Sequence, residues 1–249
     1  MANFKYNKST NKDNYIVMFS FISLFITLAL LFSGVISYRL NIFSLSVSLS
    51  IFTKYAIYLA IFTSMISLVS LGYSFKRQSK MLAVFISLIT FLVSAFIIVI
   101  FYGYIISLKS YPFMNDITTN YDDKISFKIA KHDPIGDENS FLQRYGGFNK
   151  PYNKLKSVYI NNSNIEEIFN KSIFVFTKMN INITYQNLEE GIIEGEAVSF
   201  WYGFKDDFIV RIEKLISDDI KIDIRSASRS GRSDFGKNYD RILQFISYF

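Results

Sequence analysis

MLAVFISLITFLVSAFIIVIFYGYIISLKS, residues Met81 to Ser110, decides the architecture. From Met81 to Leu108 it carries no charged side chain, and its Phe, Ile, Leu and Val surround a helix instead of following one stripe. A helix on a soluble domain keeps a polar face. An uncharged run longer than the roughly 20 residues that cross about 30 Å of hydrocarbon is a membrane span. Two similar runs precede it, Tyr15 to Tyr38 and Tyr55 to Phe75. The first exceeds the about 7–15 apolar residues of a signal-peptide core and ends at Ser37-Tyr38-Arg39 without a small-x-small cleavage site, so it reads as a retained helix. Between the first two, Phe43, Leu45, Val47, Leu49 and Ile51 alternate with Ser44, Ser46, Ser48 and Ser50. This piece, Leu40 to Thr53, is too short to span and reads as an interfacial loop or the start of a longer second helix.

Charge divides the chain at the same place. Residues 1–110 hold nine Lys/Arg against the single acid Asp13, a balance of +8, whereas the remainder holds 18 basic and 20 acidic residues, a balance of −2. The net +6 therefore belongs to the membrane half, where Lys and Arg set topology. Nucleic-acid binding, which needs a basic face on a folded domain, is not expected. With three spans, the N-terminal tail and the Lys76–Lys80 loop share one side and six basic residues. Arg39, Lys54, Lys109 and Lys124 lie on the other. The bias predicts a cytoplasmic N-terminus and an extracytoplasmic C-terminal domain.

The chain has no Cys, which removes disulfides, thiolate metal sites and Cys nucleophiles, and a single His, His132, which leaves no multi-His metal site. No metal and no cofactor are expected. The spans carry no ionisable group in their cores, which argues against a transporter. Their Ser and Thr, among them Ser23, Thr63, Ser70 and Ser87, suit helix packing.

Beyond Tyr111 the composition turns polar, and residues 111–154 read as an extended linker with little regular structure. An α+β domain follows over 155–249. Its elements are a short strand at Leu155–Ile160, a helix opened by a Ser163/Glu166 capping box and running to about Met179, and four strands. These lie at about Ile181–Gln186, Ile192–Trp201, Asp207–Ile216 and Ile220–Ser226, before a final helix from about Lys237. The order β-α-β-β-β-β-α, with period-two alternation and short turns, predicts an antiparallel sheet with one face under helices and the other solvated.

The segment most able to carry chemistry joins the last strand to the last helix. Arg225, Ser226, Ser228, Arg229, Gly231, Arg232, Ser233, Asp234, Gly236, Asn238 and Arg241 combine guanidinium forks, hydroxyls and a helix start, a set suited to phosphate, sulfate or carboxylate. The same residues also suit a structural account, with Asp234 or Asn238 capping the helix and the Arg paired to Asp223, Asp234 and Asp240. Asp206 and Asp207 are a second candidate, as acid–base or cation-binding carboxylates or as a solvated turn paired with the nearby Arg. For Glu194 and Glu196, on one strand face, cross-strand pairing with Arg211 or Arg225 is expected. No nucleophile motif stands out, so no catalytic residue is assigned.

Arg225-Ser226-x-Ser228-Arg229-x-Gly231-x-Ser233-Asp234-x-Gly236-x-Asn238-x-x-Arg241-Ile242 resembles the C-terminal signature of the family catalogued as domain of unknown function 1499. Asn115-Asp116-Ile117-Thr118-Thr119 resembles its opening D-I-T-T motif. Phe204-Lys205-Asp206-Asp207 with Ile209-Val210-Arg211-Ile212 resembles its F-x-D-D and hydrophobic-Arg strand. Longer bacterial members of that family carry three preceding membrane helices and a Tyr-Arg-Leu-like stretch, matched here by Tyr38-Arg39-Leu40. The resemblance implies an envelope or thylakoid-lumen setting and no settled activity. Together with the charge bias it gives the expectation of a multi-pass protein of the bacterial inner membrane. Its partners are expected to be the lipid bilayer, other membrane proteins, and an anionic ligand or lipid headgroup. A binding or assembly module is favoured. The alternative is an envelope enzyme acting on an anionic substrate through Asp206/Asp207 or Asp234 with Arg support.

Overall fold

The structure, a computed structural model, describes residues 10–76, 81–111, 114–130 and 155–249. The chain forms two compact units, Met1–Ile105 and Ile106–Phe249. His132 and the later part of the stretch read as linker lie outside the described residues.

Three helices are long and apolar enough to cross a membrane: α1 (Thr10–Arg39), α2 (Leu45–Lys76) and α3 (Met81–Ser110). The Leu40–Thr53 ambiguity resolves toward a longer second helix, because α2 starts at Leu45 and passes through a π-helical stretch, Ser48–Thr53. That widened stretch packs on α1 at Gly34, where an added Cβ would lie 2.7 Å from Phe52 Cβ. The burial pattern is the reverse of a soluble bundle. On α2 the buried positions are Ser48, Thr53, Ala56, Ala60, Thr63, Ser67, Ser70 and Ser74, while Phe25, Met65 and Phe96 of the three helices are exposed. Small residues at three- and four-residue spacing let helix backbones approach, and hydroxyls then bond between helices. Ser23 Oγ lies 2.6 Å from Thr63 Oγ1, and Ser70 Oγ lies 2.7 Å from Ser87 Oγ.

Among the described residues, the second unit is a six-stranded antiparallel sheet with two helices. Its strands are β1 (Asp116–Thr118), β2 (Val158–Ile160), β3 (Asn182–Asn187), β4 (Ile192–Val198), β5 (Lys205–Lys214) and β6 (Ile220–Ser228). The order is β1-β6-β5-β4-β3, and β2 also pairs with β6. The two short strands thus share one edge of the long one, β1 opposite Arg225–Ala227 and β2 opposite Ile220–Ile222. Helices α4 (Ile165–Lys178) and α5 (Lys237–Ile246) cover the face made by Ile193, Phe208, Val210, Ile212, Ile220, Ile222 and Ile224. Phe176, Phe208 and Phe245 meet at its centre, with ring centroids 5.3–6.1 Å apart. Burying three Phe rings in mutual edge contact makes this cluster the main apolar tie between helices and sheet.

Three expectations change. The stretch beginning at 111 is not wholly linker, since Asp116–Thr118 is strand β1 and Met114 to Thr119 are buried. The second sheet face is not simply solvated. Ile125 packs on Ile192 and Ile209 with Phe127 and Tyr185 beside them, and the Glu194 carboxylate accepts the backbone N–H of Lys128 (2.5 Å), Ile129 (3.2 Å) and Ala130 (2.8 Å). A segment without regular structure satisfies its backbone through this buried acid, a device that leaves no periodic trace in sequence. Finally, α4 is capped by Asn164, whose Oδ1 accepts the Glu166 N–H at 2.9 Å, and not by a Ser163 box, because the helix starts one residue later than expected.

Candidate functional site

Strand alternation governs the Arg/Ser segment. Along β6, Arg225 and Ala227 face the side roofed by Ile125, and Ser226 and Ser228 face α5. Arg225 is buried and grips Asp116 with two parallel bonds, Nε to Oδ1 at 2.9 Å and Nη2 to Oδ2 at 2.8 Å. Its Nη1 donates to the Ile125 carbonyl, and the Phe127 ring lies 4.5 Å from the guanidinium. Burial alone would raise the Asp116 pKa. Arg225 and Lys124, the latter at 2.9 Å, outweigh it and hold the carboxyl below its ordinary value.

Arg229, just past the strand, donates through Nε to both Asp207 oxygens at 3.1 and 2.9 Å, and its Nη1 meets Glu196 at 2.6 Å. Lys205 holds the other side of Glu196 at 3.1 Å. Glu196 and Glu194 therefore do not pair with Arg211 or Arg225, because the register sets Arg211 beside Ile192 and puts Ile209 between Glu194 and Arg225.

On the α5 side, Asn238 is the hub. Its Oδ1 accepts from Ser226 Oγ (2.7 Å) and Arg241 Nη1 (2.6 Å), and its Nδ2 donates to the Asn115 carbonyl (2.9 Å) and Ser228 Oγ (3.0 Å). Arg241 also reaches Asp206 at 2.6 Å and Ser226 Oγ at 2.9 Å. Asn115 donates to the carbonyls of Ser228 and Gly231. Gly236 is the N-cap residue of α5, and Asp234, two residues before it, closes the turn into the helix, its two oxygens accepting the N–H of Gly236 (2.9 Å) and Asn238 (2.8 Å). Burial pushes its carboxyl up to about 6, and the nearby Asp206 adds to the rise against those two donors. Gly236 has φ +83° and sits where a Cβ would be 2.6 Å from the Tyr111 ring, so glycine is required twice over. Ser233 Oγ accepts the Phe235 N–H at 3.3 Å.

The candidate residues do not converge on one point. Arg225, Arg229 and Arg241 each meet a different carboxylate, the first two on one sheet face and the third on the other. Asp206 and Asp207 are buried, paired with Arg241 and Arg229, and as neighbours in a strand they point to opposite faces. They form neither a solvated turn nor a two-carboxylate pair. Arg232 alone among the candidate arginines is exposed and has no ion pair among the described residues. Among those residues no three His, Asp or Glu side chains cluster as metal ligands. Asn115, which entered only as part of a motif, and the group around Asp223, which entered only as an Arg partner, are not among the site residues expected from sequence. This buried carboxylate accepts from Ser157, Arg211 (2.7 Å), Lys221 (2.9 Å) and Asn120 (3.2 Å), and these donors outweigh the effect of burial and hold its pKa down. Only the cross-strand pair Arg211–Asp223 left a signal, as opposite charges in alternating strands.

The three motif pieces are each other's partners: Asp116 with Arg225, Asn115 with Asn238, Asp206 with Arg241, Asp207 with Arg229. The family described as protein of unknown function (DUF1499) matches residues 116–249. The chain belongs to the DUF1499 family. No curated protein is similar enough to match it. The DUF1499 match opens at Asp116, the residue that anchors Arg225, so the family region and the folded sheet begin together. In this DUF1499 domain the signature is first of all a set of interlocking polar contacts that fasten β1, β5, β6 and α5 to one another.

Proposed function

We propose that this protein is a membrane-anchored envelope module. Its three helices fix it in the bacterial inner membrane with the N-terminus in the cytoplasm, and its DUF1499 domain serves outside as a binding or assembly unit. One observation carries the reading. Arg225, Arg229 and Arg241 are neutralised within the domain, so they build a frame, and the one exposed arginine of the signature, Arg232, is left at its surface. The anion contact narrows accordingly to Arg232 and the Ser230–Ser233 turn around it. The short-loop charge bias supports the orientation.

Two measurements test this. A Cys-free chain allows Ile216→Cys, at a fully exposed tip, to be labelled by a membrane-impermeant maleimide. Labelling in intact cells agrees with an extracytoplasmic domain, and labelling only after lysis overturns it. In detergent, inorganic phosphate should raise the unfolding temperature of the wild type more than chloride does at equal ionic strength, and Arg232→Ala should abolish the gain. No gain in the wild type removes the anion contact.

A second reading, an envelope enzyme acting on an anionic substrate, is favoured by the buried Asp234, whose carboxyl at about 6 is poised to exchange a proton near neutrality. Both its oxygens already accept backbone N–H groups. Full complementation of a deletion phenotype by Asp234→Asn would end that reading.

A further inference from the structure

One end of the sheet gathers features that the polar frame does not use. The β4–β5 hairpin tip, Ser199-Phe200-Trp201-Tyr202-Gly203-Phe204, closes there through Ser199 N–H to the Phe204 carbonyl at 2.8 Å. Tyr202 and Phe204 stack at 5.2 Å with Tyr202 buried, while Phe200 is 92% exposed and Trp201 is half-buried. Loops in water do not favour a largely exposed phenyl ring at their tip. Phe200, with Trp201 half-buried beside it in sequence, offers apolar surface at this tip.

The same end is where the chain enters the domain. Tyr111, one residue after α3 ends, packs in the domain core against Tyr239 and Gly236. Asn115 then bonds to Ser228, and β1 pairs antiparallel from Asp116 opposite Ala227. Ser228 is also opposite Asp206, and the Arg229 N–H donates to the Lys205 carbonyl at 3.0 Å. Register therefore puts the entry point, the aromatic tip and the Arg232 loop at one end of the sheet. The Glu189–Glu190 and Ser217–Asp219 turns lie at the other end. On α3 itself, Tyr102 and Tyr104 are exposed, as aromatic residues at a membrane interface are.

At the entry end, among the described residues, Arg232 and Lys237 are exposed cations beside the exposed acid Asp240, while Lys205 and Arg229 there are held by Glu196 and Asp207. At the far end the exposed acids Glu190 and Asp218 are paired with Lys128 and Lys214. Aromatic side chains with Lys and Arg beside them are the chemistry that seats a surface on anionic lipid.

We propose that the entry end of the DUF1499 domain is a lipid-contact surface. The Phe200-Trp201 tip lies in the headgroup layer, and Arg232 and Lys237 meet lipid phosphates. This deepens the anchored-module reading and rests on its assignment of Arg232 as a surface contact. The partner is the bilayer that the chain has just left.

Trp201 is the chain's only tryptophan, so the full-length protein reports on its own tip. Reconstituted in nanodiscs containing phosphatidylglycerol, its emission should fall when the lipids are brominated high on the acyl chain, and fall less when bromine sits deeper. Aqueous iodide should quench it weakly. Phe200→Asp, at a site exposed enough to leave the fold intact, should abolish the bromolipid loss and restore iodide quenching. Unchanged emission with brominated lipid and strong iodide quenching overturns the proposal. So does weak quenching by both, which would mean that protein, a second copy or another chain, covers the tip. Loss that persists in Phe200→Asp also overturns it. The phosphate effect lost in Arg232→Ala is measured without lipid, so it can stand while the lipid surface fails, and the two readings fall separately.

Discussion

Arg225 and Arg232 stand seven positions apart in one motif and do opposite things. Arg225 is buried, and its removal leaves the Asp116 carboxylate, also buried, without its two-pronged partner. Breaking one side of a buried pair costs about 3–5 kcal/mol, because the surviving charge stays desolvated. Lys124 remains beside Asp116 and compensates in part. Arg225→Ala should therefore lower domain stability by about 3 kcal/mol, at the lower edge of that range, read as the midpoint of denaturant unfolding in detergent. Arg225→Lys should not rescue it fully, since an ammonium cannot make the paired bonds. Arg232→Ala, at an exposed site, should stay within about 0.5 kcal/mol of the wild type. Equal losses in the two variants would contradict the division into frame and surface.

At the scale of elements, what could be read beforehand and what could not have separate physical causes. The spans were readable because a long uncharged run has few alternatives, and Met81–Ser110 is helix throughout. Strands β3 to β6 and helix α5 were readable because their period matches the spacing of buried side chains: Phe208, Val210 and Ile212 on one face, Ile242 and Phe245 on the helix. Strand β1 was not readable, since three residues carry no period. Its place depends on Asp116 finding Arg225 more than a hundred positions later. The candidate site was half readable: its residue types were plain, but whether an Arg meets a ligand or Asp207 depends on cross-strand register. The roof over the second face was hidden for the same reason, and it yields its own prediction. Glu194→Gln keeps the shape, but its amide offers one acceptor oxygen where the carboxylate offers two to the N–H groups of Lys128, Ile129 and Ala130. Amide exchange at these residues should rise at least about tenfold, as the loss of about 1.4 kcal/mol of local protection requires, with the α4 amides unchanged. In the membrane unit, Gly34→Leu should cost about 1–3 kcal/mol of thermal stability in detergent, because its side chain meets Phe52 on the π-helical stretch.

For the whole domain, the buried carboxylates predict how stability follows pH, and they pull in opposite directions. Asp116 and Asp223 have folded pKa values below the ordinary 3.8, so their contribution is complete above that pH and is lost as pH falls through their folded values. Asp234 is the reverse. Its folded value of about 6 lies above the ordinary 3.8, so between these pH values the folded chain holds a proton that the unfolded chain has released. Stability must therefore fall as pH rises from about 4 to about 6, and above 6 the full deficit, on the order of 3 kcal/mol, is in place. The two effects together give a dome whose top lies between about pH 4 and 5, lower than the range near neutrality where most proteins are most stable. Thermal unfolding of the full-length protein, followed by Trp201 emission, should show a higher midpoint at pH 4.5 than at pH 7. Asp234→Asn carries no charge and should flatten the slope across that interval while leaving the acid limb below pH 4 in place. It should also unfold somewhat earlier at pH 4.5, because one of the two N–H groups of Gly236 and Asn238 then faces an amide NH₂ instead of an oxygen. A wild-type midpoint that climbs steadily from pH 4.5 to 7 would mean that Asp234 stays ionised beneath α5, held by its two backbone donors, and that the turn resists the burial that otherwise favours its neutral form.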